Sequence, residues 1–255
     1  MDSGAVAHGA WFVLKWLLIS IGALLALIIL GSLVVPPVTR HRTDRWGATD
    51  EEVTMTLPGD GYVADPVAVS TKAITIEAPA QTVYELVRQM GYGRGGWFGW
   101  DWFYNMTGSA GFVEGHHSRT IVPELQQLRV GDAIYINSFV GYRVVRDDIA
   151  LVEGSESGPY VLGLYGAWMS GGAKPDPLEL ERVEEADVRE SWMWVVQPVD
   201  EDTSRLILRI RSTAKEGGAF VQWLYDKPLD FGGAIMGRKT LVGIRNAAED
   251  LAAAP

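Results

Sequence analysis

Cysteine is absent from this 255-residue chain. That excludes disulfides, thiolate catalysis and cysteine-based metal sites, and leaves the redox compartment undetermined. Histidine is scarce, with four in all. The one pair, His116-His117, consists of neighbours that would face opposite ways on a strand, so the residues needed for a metal site are missing. Basic residues are the minority, 22 Lys and Arg against 32 Asp and Glu. Residues 1–45 hold Lys15, Arg40, Arg42 and Arg45 against Asp2 and Asp44, so with a chain total of −10 the remainder carries −12. An acidic domain repels phosphate backbones, which argues against nucleic acid as a partner. It also argues against lying flat on anionic lipid through a basic face. No G-x-S-x-G, Walker, H-E-x-x-H or EF-hand pattern occurs, and no internal repeat is visible.

What the chain does have, close to its start, is an uncharged apolar run from Trp16 to Val35. At 1.5 Å per helical residue it reaches roughly 30 Å, the thickness of a bilayer's hydrocarbon core. A signal peptide would have a shorter apolar core and a small-residue cleavage site. This run ends instead in Leu33-Val34-Val35-Pro36-Pro37. We read residues 1–15 as a tail and 16–35 as a retained transmembrane anchor. Arg40, Arg42 and Arg45 after the run outnumber Lys15 before it, which places the large domain on the cytoplasmic side of the cell membrane. Gly22 and Ala26 form one small-xxx-small pair, thin evidence for helix dimerisation.

Residues 36–60 read as a linker and lead-in, with Pro36-Pro37 stopping the anchor helix. Lys72 to Glu77 alternates and is β-branched, a strand. Pro79 opens a helix whose Val83, Leu86, Val87 and Met90 share one face, and Gly91 ends it. Strands are expected at 133–139, 141–147 and 149–153, then at Trp192–Val196 and Arg205–Arg211. The 154–188 stretch breaks this rhythm and reads as an insertion. From about Pro228 the chain is helical, with Leu241, Ile244, Ala248 and Leu251 as its apolar stripe. Strands linked by short turns make an antiparallel sheet, and the terminal helix can cover one face. The expected class is α+β: an antiparallel sheet wrapped around a long C-terminal helix, preceded by one transmembrane helix.

Gly91-Tyr92-Gly93-Arg94-Gly95-Gly96 satisfies G-x-G-x-x-G, but a helix precedes it and aromatics follow, so it reads as a flexible turn and no nucleotide cofactor is expected. Trp97, Phe98, Trp100, Trp102, Phe103 and Tyr104 form an aromatic cluster with three readings: core packing, the lining of an apolar ligand cavity, or insertion into a membrane interface. Asp101 within it reads as a helix cap or hydrogen-bond partner, or as a catalytic acid. His116 and His117, with Glu114 nearby, read as an exposed loop, or as general bases. Arg209 and Arg211, with Arg143 and Arg146, read as a charged outer surface, or as a contact to a ligand carboxylate. The acidic run from Glu179 to Glu190 reads as a solvated face.

The element order resembles the START-like superfamily, also called SRPBCC or Bet v 1-like, which implies a helix-grip fold. The local phrases resemble a bacterial branch labelled polyketide cyclase/dehydrase or lipid-transport-like. These phrases are Trp46-Gly47-Ala48-Thr49-Asp50-Glu51-Glu52, Leu57-Pro58-Gly59-Asp60, Ile76-Glu77-Ala78-Pro79 and Val87-Arg88-Gln89-Met90-Gly91 with Gly95-Gly96-Trp97-Phe98. Further on come Pro123-Glu124-Leu125-Gln126, Val130-Gly131-Asp132, Ser191-Trp192 and Arg205-Leu206 to Arg211. The resemblance covers about 46–251 apart from 154–188, and the START-like domain is taken as 61–255. It implies an apolar cavity between sheet and long helix and a lipid, polyketide or other hydrophobic ligand, with no universal catalytic set and no cofactor. The candidate lining residues are Trp97, Trp100, Trp102, Tyr104, Trp192 and Trp194. Three functions are carried forward: membrane-anchored binding without turnover, a cyclase or dehydrase acting through Asp101, Tyr104 or His116, and an accessory protein of a membrane complex.

Overall fold

The computed structural model describes residues 11–12, 14–23, 26, 30–31, 42–106, 108–149, 158–169, 176–186, 188–214 and 230–254, with backbone alone at 149, 168–169, 182, 214 and 230–234. Of the expected anchor, residues 24–25, 27–29 and 32–35 lie outside the described residues, while 14–23 are helical and exposed. Among the described residues no helix is long and apolar enough to cross a membrane.

From residue 50 the elements are α1 (Asp50–Thr54), a 3-10 turn (Asp60–Val63), β1 (Ala68–Ile76), α2 (Ala80–Arg88), α3 (Asp101–Met106) and a second 3-10 turn (Pro123–Gln126). There follow β2 (Ala133–Tyr135), β3 (Gly141–Ile149), β4 (Tyr160–Met169), α4 (Leu180–Glu184), β5 (Val188–Pro198), β6 (Ser204–Ala214) and α5 (Asp230–Ala252). The sheet runs β1-β6-β5-β4-β3-β2, antiparallel throughout. Helices α2 and α5 lie together against one face of it. This is the expected α+β class, with the long terminal helix against the sheet as the helix-grip arrangement requires.

Period-two alternation decides which residues meet those helices. Ile74 and Ile76 of β1, Leu206 and Leu208 of β6, and Trp194 and Val196 of β5 point into the concave core with Val83, Leu86 and Val87 of α2 and Leu241, Ile244 and Ala248 of α5. A register shift between Val144 and Arg146 flips the face of β3. Asp147 thereby faces α2, where Arg88 (Nη2–Oδ2 2.7 Å) and the hydroxyl of Tyr84 (2.7 Å) bond it.

Two expectations change. The 154–188 stretch holds β4, an interior strand rather than part of an insertion. Its Gly163 and Gly166 weaken the strand signal, and packing explains both. A Cβ on Gly163 would sit 2.9 Å from the sulfur of Met193, and one on Gly166 would sit 2.7 Å from the ring of Tyr142. The 36–60 lead-in is in large part structural. A capping box, Thr49 with Glu52, starts α1. Leu57 and Met55 then pack on the convex face against Ala73, Val161, Val195 and Ile207. Val63 packs farther along with Tyr165, Ala167 and Val183.

The convex face therefore carries a second, smaller core, and arginines fasten it. Arg209 is not on a charged outer surface: it is 2% exposed. Its guanidinium donates to Thr71 Oγ1 (3.1 Å), the Met55 carbonyl (2.7 Å), Asp60 Oδ2 (2.8 Å) and the Glu52 and Val53 carbonyls. Arg211 donates to the carbonyls of Val63 and Ala64, and Arg205 to Glu52 and the Gly47 carbonyl.

Candidate functional site

The concave face begins at the 89–99 segment that follows α2. The glycine-rich motif is not a free turn. Gly91 and Gly96 close a bridge, and the half-buried Arg94 donates to the carbonyls of Met90 (3.0 Å), Arg88 (2.8 Å) and Leu125 (2.9 Å). This guanidinium ties the loop to the end of α2 and to the second 3-10 turn. Phe98 follows at φ 53°, a left-handed conformation that a bulky residue rarely adopts. Helix α5 holds it there. Thr240 donates its hydroxyl to the Trp97 carbonyl at 2.8 Å, and Gly243 lets the Phe98 backbone lie directly on the helix.

This backbone turn sends Trp97 inward. Its indole packs edge-on to Trp192 of β5 at 5.9 Å and donates to the Tyr135 carbonyl at 3.2 Å. The ring of Tyr142, lying over Gly166, is 5.1 Å from Trp192. One carboxylate oxygen joins the wall: Glu190 Oε2 accepts from Tyr142 OH (2.7 Å) and from Trp192 Nε1 (3.1 Å). Glu190 is thus a half-buried member of an aromatic wall and not part of a solvated acidic face. On the same face of β1, Lys72 is buried and bonded to Ser70 Oγ. Deeper in, Trp194 is 1% exposed, and its Nε1–H has no protein partner among the described residues.

Of the six candidate lining residues, the structure brings together Trp97 and Trp192 and buries Trp194 and Tyr104 in the same core. Burial pushes the Tyr104 phenol well above its usual range, and the nearby Asp101 charge adds to the effect. Trp100 and Trp102 point outward instead, 37% and 62% exposed. Asp101 pairs with His117 (Oδ1–Nδ1 2.8 Å), whose ring lies 5.8 Å from that of Phe98. His116 turns to the His117 carbonyl, so His117 and not His116 is the histidine beside the acid. Sequence reasoning missed Tyr142, Glu190 and Lys72. The even-numbered alternation that puts Trp192 and Trp194 inward also places Glu190 there.

Two cavities lie on the convex face. One of about 670 Å³ is bounded by Met55, Val69, Thr71, Arg209 and Arg211, another of about 230 Å³ by Tyr62, Val145 and Tyr165. The larger borders the arginine clamp, where the Arg209 guanidinium is taken up by intramolecular bonds. Neither is the apolar cavity expected between the sheet and the long helix, so the concave wall is a candidate site on the chemistry of its side chains alone. Among the described residues no cluster of three or more His, Asp or Glu is placed to hold a metal.

No family model matches this chain, and no curated protein does. Solved structures match it at low identity. A hypothetical protein, jhp0584 from Helicobacter pylori, is 11% identical over 76% of this chain and 96% of its own, with a TM-score of 0.42. The Zhui aromatase/cyclase from Streptomyces sp. R1128 is 12% identical over 71% and 93%, with a TM-score of 0.29. Human STARD10 is 11% identical over 78% and 82%, with a TM-score of 0.31. Likeness of this size leaves the functional reading to the chain's own residues.

Proposed function

We propose that this protein binds a hydrophobic small molecule or lipid on the concave face of its sheet, without turning it over, while residues 16–35 tether it to the cell membrane with the domain on the cytoplasmic side. The observation that carries the reading is the wall formed by Trp97, Tyr142, Trp192 and Glu190. An apolar, aromatic surface with a single convergent polar group is the usual make-up of a small-molecule site. The buried Trp194 N–H, which has no protein partner among the described residues, adds a donor that such a molecule can satisfy. The test is mass spectrometry of organic extracts from the full-length chain purified in detergent. An apolar compound should co-purify with the wild type and be lost from Trp192→Ala and Glu190→Ala. If wild type and variants give the same extract, the reading fails.

A second reading, a cyclase or dehydrase acting on a polyketide-like substrate, draws on one contact. His117 held by Asp101 is an oriented imidazole of the kind that moves protons near neutral pH. It requires that His117→Gln retain the bound compound but leave it unconverted. If the compound is unchanged on incubation with wild type, this reading is removed.

A further inference from the structure

Resting on the tether reading above, we infer that Trp100, Trp102, Phe103 and Met106 form a knob that inserts into the bilayer interface beside the tether. Trp102 and Met106 are 62% and 69% exposed, and the Trp102 ring contacts those of Trp100 (6.5 Å) and Phe103 (6.0 Å). Aromatic side chains gathered outward in this way favour a membrane–water interface, where the ring is buried and the indole N–H stays wet. The base of the knob is fixed. Asp101 is held by His117, Tyr104 packs on Phe112, and the Asn105 amide donates to the Asp101 carbonyl. Insertion then orders little that is not ordered already.

Position selects lipid as the occupant. The knob springs from Gly99, against which Met236 of α5 packs (3.1 Å to a Cβ placed there). The chain leaving the anchor meets the same stretch of α5, where Arg238 lies over the Trp46 ring at 5.0 Å. Residues 36–41 between the apolar run and the first described residue of the domain span at most about 20 Å. The knob therefore sits at the end of the domain that the tether holds to the bilayer. On this stretch of α5 Ile235 and Arg238 are exposed and Lys239 is half-buried.

The chain's lack of cysteine makes the test direct. Met106→Cys carries one environment-sensitive fluorophore, and Val199→Cys, in the exposed turn between β5 and β6, is the control. Each full-length chain is reconstituted into vesicles of phosphatidylcholine with a minor share of phosphatidylglycerol, with or without lipids bearing a doxyl quencher near the headgroup. The probe at 106 should shift blue and be quenched, and the probe at 199 should not. Adding Trp100→Ser and Trp102→Ser should weaken the docked state on the order of tenfold or more while the chain still floats with the vesicles. A chain that floats with an unquenched probe at 106 overturns the docking and leaves the tether standing. A chain that does not float overturns the tether and the docking with it. A blue-shifted but unquenched probe marks a protein partner or a second copy on the knob, and it too overturns the proposal.

Discussion

Arg209→Met cuts the clamp that holds residues 46–65 on the convex face. The substitution keeps most of the stem and removes a guanidinium that reaches Thr71, Asp60 and the carbonyls of Glu52, Val53 and Met55. Hydrogen bonds to charged groups are worth about 1.5–3 kcal/mol each, so a sum over these bonds is a ceiling and not the expected loss. The released carbonyls regain water when the lead-in lifts, and what remains is the cost of leaving the mostly buried Asp60 with the Leu57 N–H (3.0 Å) and the more distant Arg211 (3.8 Å) as its partners. Removing one partner of a buried pair costs about 3–5 kcal/mol, and we expect a loss in that range. For a domain of this size that is a fall of about 6–20 °C in the unfolding midpoint. Thermal unfolding of the full chain in detergent measures it, and hydrogen exchange of residues 46–65 shows whether the loss is local. Asp60→Asn should cost less alone, and the double variant should cost less than the sum, because both remove the same pair. A loss under about 1 kcal/mol, or unchanged exchange in 46–65, refutes the clamp.

Gly243→Ala should destabilise by about 1–3 kcal/mol, because the new methyl meets the Phe98 carbonyl on a rigid backbone; urea midpoints would show it. Burial pushes the Glu52 carboxyl up, but bonds from Arg205 and Thr49 outweigh it and hold the group below its usual 4.5. Its stabilisation is complete above that value and is lost as pH falls through the lowered folded one, so Glu52→Gln should flatten the acid limb of a stability–pH curve. Burial, and next the bond to Asp147, push the Tyr84 phenol far up. The unfolded phenol ionises near pH 10 while the folded one stays neutral, so stability should drop above about pH 10, and Tyr84→Phe should lessen that drop, with the similarly buried Tyr104 keeping the rest.

Some of this architecture is written in local periodicity. The i, i+3, i+4, i+7 spacing of Val83, Leu86, Val87 and Met90 describes the buried face of α2, and all four are fully buried. Alternation through Leu206, Leu208 and Ile210 describes β6 in the same way. Strand β4 was not legible, because Gly163 and Gly166 read as breakers until the side chains that cross them, Met193 and Tyr142, are known. The burial of Arg209 was hidden too. An arginine alternating with apolar residues reads as a polar face unless something 150 positions earlier covers it, and here Glu52, Met55 and Asp60 do.

The same division holds for the site. Sequence by itself determined the inventory: no thiol, few imidazoles, an acidic domain, an apolar run near the start and tryptophans concentrated at 97–102 and 192–194. Inward or outward placement along a strand follows from its period and was readable there as well. Only tertiary structure decided which tryptophans are buried and which are presented. Trp97 turns in and Trp100 turns out because Phe98 is held left-handed between them by α5, a helix more than 130 residues further on. The pairings Asp101 with His117 and Glu190 with Tyr142 have the same origin. They join residues brought together by loop closure and by strand register, and neither leaves a local pattern in the chain.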